Sequence, residues 1–224
     1  CRALGLEVMG KDKLPLVGEF SQGLVAQKLR QVEKPWVSLD EKVPPRPPVL
    51  CAGCPHRGLF YTLAKHKVTV LGDIGCYTLG MLPPLRMADF LVCMGSSVSA
   101  GSGFARASGK PVVAFIGDST FFHSGMTGLA NAVFNKHDIL VVILDNGTTA
   151  MTGHQPNPGM LQDILGEEAM HLDIESVVRG LGVTECVKVR SYNLKALHSA
   201  LEDMRDKKGV RVIIAEEPCV LYAR

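Results

Sequence analysis

Short, unbroken apolar runs rich in β-branched residues recur along this chain and limit its possible folds. Val68–Leu71, Phe90–Cys93, Val112–Ile116 and Ile139–Leu144 are of this kind, and Val183–Val189 and Val210–Ala215 add two more. None alternates polar with apolar residues, so each reads as a strand buried on both faces, as in a parallel sheet. Helical stretches separate them: His56–Lys65, Ser97–Ala107, His123–Asn135, Ile174–Leu181 and Leu194–Lys207. This alternation predicts an α/β fold, a doubly wound and mostly parallel sheet of about six strands with helices on both faces.

The first part of the chain reads differently. Gly18 to Arg30 fits a short amphipathic helix, and Pro44, Pro45, Pro47 and Pro48 then force extended backbone. Residues 1–45 are therefore expected to form a tail and a proline-rich linker, with the compact domain over 46–224. The chain starts at Cys1 with neither an initiator Met nor a signal segment, so it is expected to be a piece of a longer polypeptide.

Charge and hydropathy remove several function classes. Lys and Arg total 24 against 22 Asp and Glu, a net charge of +2 that gives no reason to expect a nucleic-acid partner. No apolar run approaches the roughly 20 residues that span a bilayer, so no membrane is expected. Seven cysteines, an odd number without a secretory signal, suit a reducing cytoplasmic setting better than a disulfide framework.

In a parallel α/β sheet, ligands gather at the carboxyl ends of the strands. Those ends read Gly72-Asp73-Ile74-Gly75-Cys76, Met94-Gly95-Ser96, Gly117-Asp118-Ser119-Thr120 and Asp145-Asn146-Gly147-Thr148. Between Ser119 and Asp145 lie 25 residues, a crossover length that sets the two strand ends side by side or one strand apart. Asp118 and Asn146 can then offer oxygens to one hard cation, with the carbonyl of Thr148 as a third ligand and positions left for phosphate and water. Backbone N–H groups from Ser119 to Phe121 would meet the phosphate at the start of a helix. Singly, Gly-Asp-Ser is an ordinary turn and Asp-Asn-Gly a common hairpin signal; as a pair they favour a ligand site.

The pair, with the preceding CMGSSVSAGSGFARASGKPVVAFIGDS, resembles the thiamine-diphosphate signature. Ser119 stands where that signature usually has Gly, and Asp145 where it has Asn. With CAGCPHRG, GDIGC, DNGTTAMTGHQPNPG and EEPC, the chain from about Pro45 to Pro218 resembles the thiamine-diphosphate domain of the indolepyruvate:ferredoxin oxidoreductase α subunits, within the 2-oxoacid:ferredoxin oxidoreductase family. The resemblance implies thiamine diphosphate held through Mg²⁺ on Asp118, Asn146 and Thr148. It also implies cofactor contacts at Gly117, Ser119 and Thr120, with Met94, beside Gly95 and Ser96, propping the cofactor's bend. It further implies a [4Fe–4S] cluster on Cys51, Cys54, Cys76 and Cys219. From spacing alone those cysteines also admit a Zn²⁺ site with His56, or simple burial. His154, in the family-like loop, is the expected catalytic histidine, with His56 and His123 beside it.

The implied activity is oxidative decarboxylation of arylpyruvates such as indolepyruvate, a small 2-oxo acid class, to an acyl-coenzyme A with ferredoxin taking the electrons. A pyrimidine-binding domain and a second subunit would be supplied from outside the chain, so the fragment alone is expected to be inactive. A non-oxidative thiamine decarboxylase or lyase, or a binding-only module, remains open on the magnesium motif alone.

Overall fold

A computed structural model describes residues 2–8, 10–30 and 44–222. Part of the expected linker, residues 31–43, and Cys1 lie outside the described residues. By its internal contacts the chain divides into two units, 1–46 and 47–224. Within the first, the expected helix forms as α1 (Gln22–Arg30) and buries no residue. The prolines from Pro44 to Pro48 carry no regular structure and are exposed.

The second unit is a five-stranded sheet in the order β1-β2-β3-β5-β4, parallel at every pairing. Its strands are β1 (Thr69–Leu71), β2 (Val112–Gly117), β3 (Ile139–Asp145), β4 (Glu185–Arg190) and β5 (Val210–Glu216). The sixth expected strand, Phe90–Cys93, is reduced to one bridge from Phe90 to Leu71. It runs beside β1 only as far as the bonds between Val70 and Asp89 and from Gly72 to Phe90. The Cys93 N–H then turns to the Ser96 hydroxyl, and Phe90 and Val92 are left exposed.

Alternate strand residues feed two cores, which is why the runs are apolar throughout. Val112, Ala114 and Ile116 of β2 pack with Val141 and Ile143 of β3 under α3 (Ser96–Ser108), α5 (Met126–Phe134) and α6 (Ile174–Gly180). Val113 and Phe115 pack with Leu140 and Val142 under α2 (His56–Leu63) and α7 (Leu194–Asp206). The result is a three-layer sandwich whose strands all point one way.

The helix after β2 starts earlier than the sequence predicts. A single turn, α4 (Asp118–Thr120), begins directly at the strand end, and a π-helical turn over Phe121–Gly125 joins it to α5. Asp118 is thereby held at the junction of strand and helix, at the start of the helical turn.

Candidate cofactor site

β2 and β3 are immediate neighbours, with Gly117 opposite Leu144. Asp118 and Asn146, the next positions beyond this pairing along β2 and shortly after β3, open onto one cleft of about 100 Å³. Gly117, Ser119, Thr120, Thr148 and Met94 line it too, as do Cys76, Tyr77 and His56.

Asp118 is 4 % exposed. Its Oδ1 accepts from the Ser119 N–H at 2.7 Å and its Oδ2 from the Asn157 amide at 3.1 Å. Burial, reinforced by the nearby Asp145 carboxylate, pushes the Asp118 carboxyl up to about 7 against the pull of the Ser119, Asn157 and Thr148 hydrogen bonds. No Lys or Arg lines the cleft to offset that charge. Beside it the Thr148 hydroxyl is buried without a hydrogen-bond partner among the described residues, and Asn146, 6 % exposed, lines the same cleft. Ser119 is engaged, accepting from the Thr149 hydroxyl at 2.8 Å.

Tyr77 lines the cleft as well, and Asp73 fixes the backbone nearby; the sequence reading singled out neither. Asp73 is fully buried; its carboxylate accepts from the N–H groups of Ile74, Gly95 and Ser97 and so anchors the start of α3. Gly95 has φ +82, and a Cβ there would stand 2.7 Å from the Ser124 Cβ, so this close left-handed approach requires glycine. Gly95 and Ser96 thus hold α3 in place and do not line the cleft, whereas Met94, 41 % exposed, does. The Tyr77 hydroxyl lies 2.8 Å from the Ile74 carbonyl and 3.2 Å from the Thr120 hydroxyl, and the ring covers Gly117 so closely that a Cβ would meet it at 2.5 Å.

Of the histidines, His56 reaches the cleft and His154 does not. His154 takes φ +62 and stacks on Tyr222 with ring centroids 5.9 Å apart. His123 bonds its neighbour Ser124. His56 is 3 % exposed, and burial holds its imidazole down to about 4.

The four cysteines of the expected set are close neighbours. Burial pushes the Cys54 thiol up to about 11, and charge on Cys51, Cys76 and Cys219 would add to the shift. Cys76 is raised likewise, first by burial and then by Cys219 and Cys51. All four are free thiols. Hydrogen bonds fix the loops that carry them. Arg57 donates to the carbonyls of Cys51 and Leu50, Tyr192 donates to the Gly53 carbonyl at 2.7 Å, and the Cys219 N–H donates to the Asn146 carbonyl at 3.0 Å. The last bond ties the cysteine loop to the same residue whose side chain opens on the cleft. Cys93 is exposed and Cys186 half-buried, away from this group.

A strand-end cleft of this make-up, on a parallel sheet, defines a cofactor domain of the thiamine class. Residues 73–215 match the family described as thiamine pyrophosphate enzyme, C-terminal TPP binding domain, and the chain belongs to that family. Among individual proteins, it is 44% identical to the indolepyruvate oxidoreductase subunit IorA of Archaeoglobus fulgidus over 245 residues, covering 100% of this chain and 39% of that subunit. The IorA subunit of Methanothermobacter thermautotrophicus is 40% identical over 233 residues, 97% of this chain and 38% of that one. The chain thus spans about two-fifths of the length of these relatives. The fold is shared with a 2-oxoglutarate:ferredoxin oxidoreductase from Magnetococcus marinus (TM-score 0.68, 18% identity, 78% of this chain and 65% of that one). It is also shared with benzoylformate decarboxylase from Polynucleobacter necessarius (TM-score 0.55, 22% identity, 73% and 33%).

Proposed function

We propose that this chain is the cofactor-binding part of an oxidoreductase that oxidatively decarboxylates arylpyruvates, indolepyruvate among them, to an acyl-coenzyme A with ferredoxin as electron acceptor. One observation carries this reading: the strand-end cleft that holds Asp118 and Asn146 is also lined by Cys76, which lies within electrostatic reach of Cys51, Cys54 and Cys219. The cleft alone would serve equally a non-oxidative decarboxylase, which has no use for the thiols. The IorA names of the relatives point to the aryl substrate.

The residues fit Mg²⁺. Asp118 is a buried carboxylate with no cationic side chain in the cleft, and the Asn146 amide and the Thr148 segment beside it offer the neutral oxygens that a hard cation takes. Asp118, Asn146 and the Thr148 carbonyl would hold the ion, which neutralises diphosphate charge, while Ser119 and Thr120 lie against the diphosphate at the helix start. Gly117 leaves room for Tyr77, and Met94 presents an apolar surface to the ring system. Thiamine diphosphate supplies the nucleophilic carbon and the electron sink for decarboxylation.

The thiols fit a [4Fe–4S] cluster. Among the described residues no three His, Cys, Asp or Glu side chains are arranged for a single metal ion. A cluster takes one thiolate per iron, spacing its ligands more widely, and supplies one-electron transfer. Arg57, Tyr192 and the His56 backbone would orient the loop that holds it. Thiols of this kind survive in a reducing compartment, so we place the protein in the cytoplasm. Residues 1–45 are read as the tail of a preceding domain, and the activating pyrimidine-binding domain and a second subunit as supplied from outside. Among the described residues no helix is long and apolar enough to cross a membrane.

Two measurements on anaerobically purified protein test the reading together. Iron and labile sulfide near four per chain, with Mg²⁺-dependent heat on titrating thiamine diphosphate, are expected. Cofactor binding without iron would instead support the decarboxylase reading.

A further inference from the structure

Three polar side chains in the cleft wall belong to deeply buried residues that line the cavity. Two are Asn146 and Thr148, already assigned to the metal. The third is His56, at 3 % exposure. The other wall groups are engaged: Asp118 by Ser119 and Asn157, Ser119 by Thr149, and Thr120 and Tyr77 by each other and the Ile74 carbonyl. The Thr148 hydroxyl is enclosed there without a partner among the described residues, which costs of order 1–3 kcal/mol, and the His56 imidazole on the wall of the same cavity is placed to meet what binds there.

We infer that the His56 imidazole is a ligand contact of the cleft, donating a hydrogen bond to an anionic oxygen of what binds there. The ring is held at the edge of Tyr77, with centroids 5.8 Å apart at 83°, so its orientation is set by packing and not by a polar partner. Its backbone N–H faces the other way, toward the Cys54 sulfur. His56 therefore stands between the two sites, its main chain serving the thiols and its ring serving the cleft. With no Lys or Arg among the described residues of the cleft wall, a neutral N–H donor is what an anionic oxygen can use.

Both proposed occupants carry such oxygens: the diphosphate of the cofactor and the carboxylate of the 2-oxo acid. The inference rests on the thiamine reading, and its test separates the two sources. His56→Leu keeps an apolar body against Tyr77 and removes the donor, while His56→Asn retains a shorter one. Titration of thiamine diphosphate with Mg²⁺ reads the first source, and titration of indolepyruvate into cofactor-loaded protein, with the subunits that complete it, reads the second. His56→Leu is expected to weaken one of these by about tenfold or more, with partial recovery in His56→Asn. Unaltered affinity for both in His56→Leu overturns the inference while the thiamine reading stands; no cofactor binding by the wild type overturns both. Long-range ¹H–¹⁵N spectra of the wild-type ring give an answer that needs no variant. A shift of the His56 nitrogens on adding either ligand supports the contact, and unmoved signals with both bound exclude it.

Discussion

Single side chains carry the site, and each makes a prediction. Asp118 is the one acidic group of the cleft wall, so Asp118→Asn keeps the volume and removes the charge that a divalent ion needs. Mg²⁺-dependent thiamine diphosphate affinity should fall by about a hundredfold or more, measured by calorimetry, with the fold retained. Arg57 makes a different prediction. Its guanidinium clamps the carbonyls of Leu50 and Cys51, and Arg57→Ala frees the loop that bears two of the four thiols. Iron per chain should drop well below that of the wild type while cofactor affinity is unchanged; full iron occupancy in the variant would remove Arg57 from the cluster's support. Asp118 and Asn146 could be picked out because they sit in short motifs at strand ends, and the cysteines because theirs are short motifs too. The histidine could not be: His154 lies in the more family-like loop, yet its left-handed backbone turns the ring onto Tyr222. His56 reaches the cleft only because α2 packs beside Tyr77, a contact with no local signature. Asp73 was hidden for a similar reason, since its partners Gly95 and Ser97 lie more than twenty residues downstream.

At the level of elements, hydrophobic period served the strands buried on both sides and misjudged the edge. β2 and β3 are apolar because two cores claim their alternate residues. Phe90–Cys93 has the same composition but is withdrawn from the sheet once Cys93 turns to cap against Ser96. The helix after β2 was placed too late because a π-helical turn breaks the 3.6-residue period at Phe121–Gly125. Helix α6 allows a clean stability test. Asp173 caps it, accepting from the Ser176 N–H at 2.7 Å, and Ser176, through its hydroxyl first and that N–H second, holds the Asp173 carboxyl below its ordinary value. Asp173→Ala should cost about 1 kcal/mol by denaturant unfolding near neutral pH. Because the folded carboxyl is the stronger acid, the stabilisation is present above the ordinary carboxylate range and is lost as pH falls through and below about 4. A difference between wild type and variant that grows on acidification would contradict the cap.

For the molecule as a whole, the chain spans about two-fifths of its IorA relatives, and on the proposed reading its fold would fix the cofactor's diphosphate end and leave the rest of the reaction to other parts. The isolated chain is therefore expected to bind thiamine diphosphate without turning over indolepyruvate; steady ferredoxin reduction by it alone would show that nothing further is needed. The substrate pocket was not legible in this sequence, since on the proposed reading it would form with a domain beyond these residues. The metal site is where all these levels meet, and it can be tested directly by growing crystals with thiamine diphosphate and Mn²⁺ in place of Mg²⁺ and collecting anomalous diffraction. The account predicts one strong manganese peak bonded to both the Asp118 carboxylate and the Asn146 amide oxygen, with the diphosphate completing its shell. A diphosphate bound with no metal between those two side chains, or a metal held elsewhere, would contradict it.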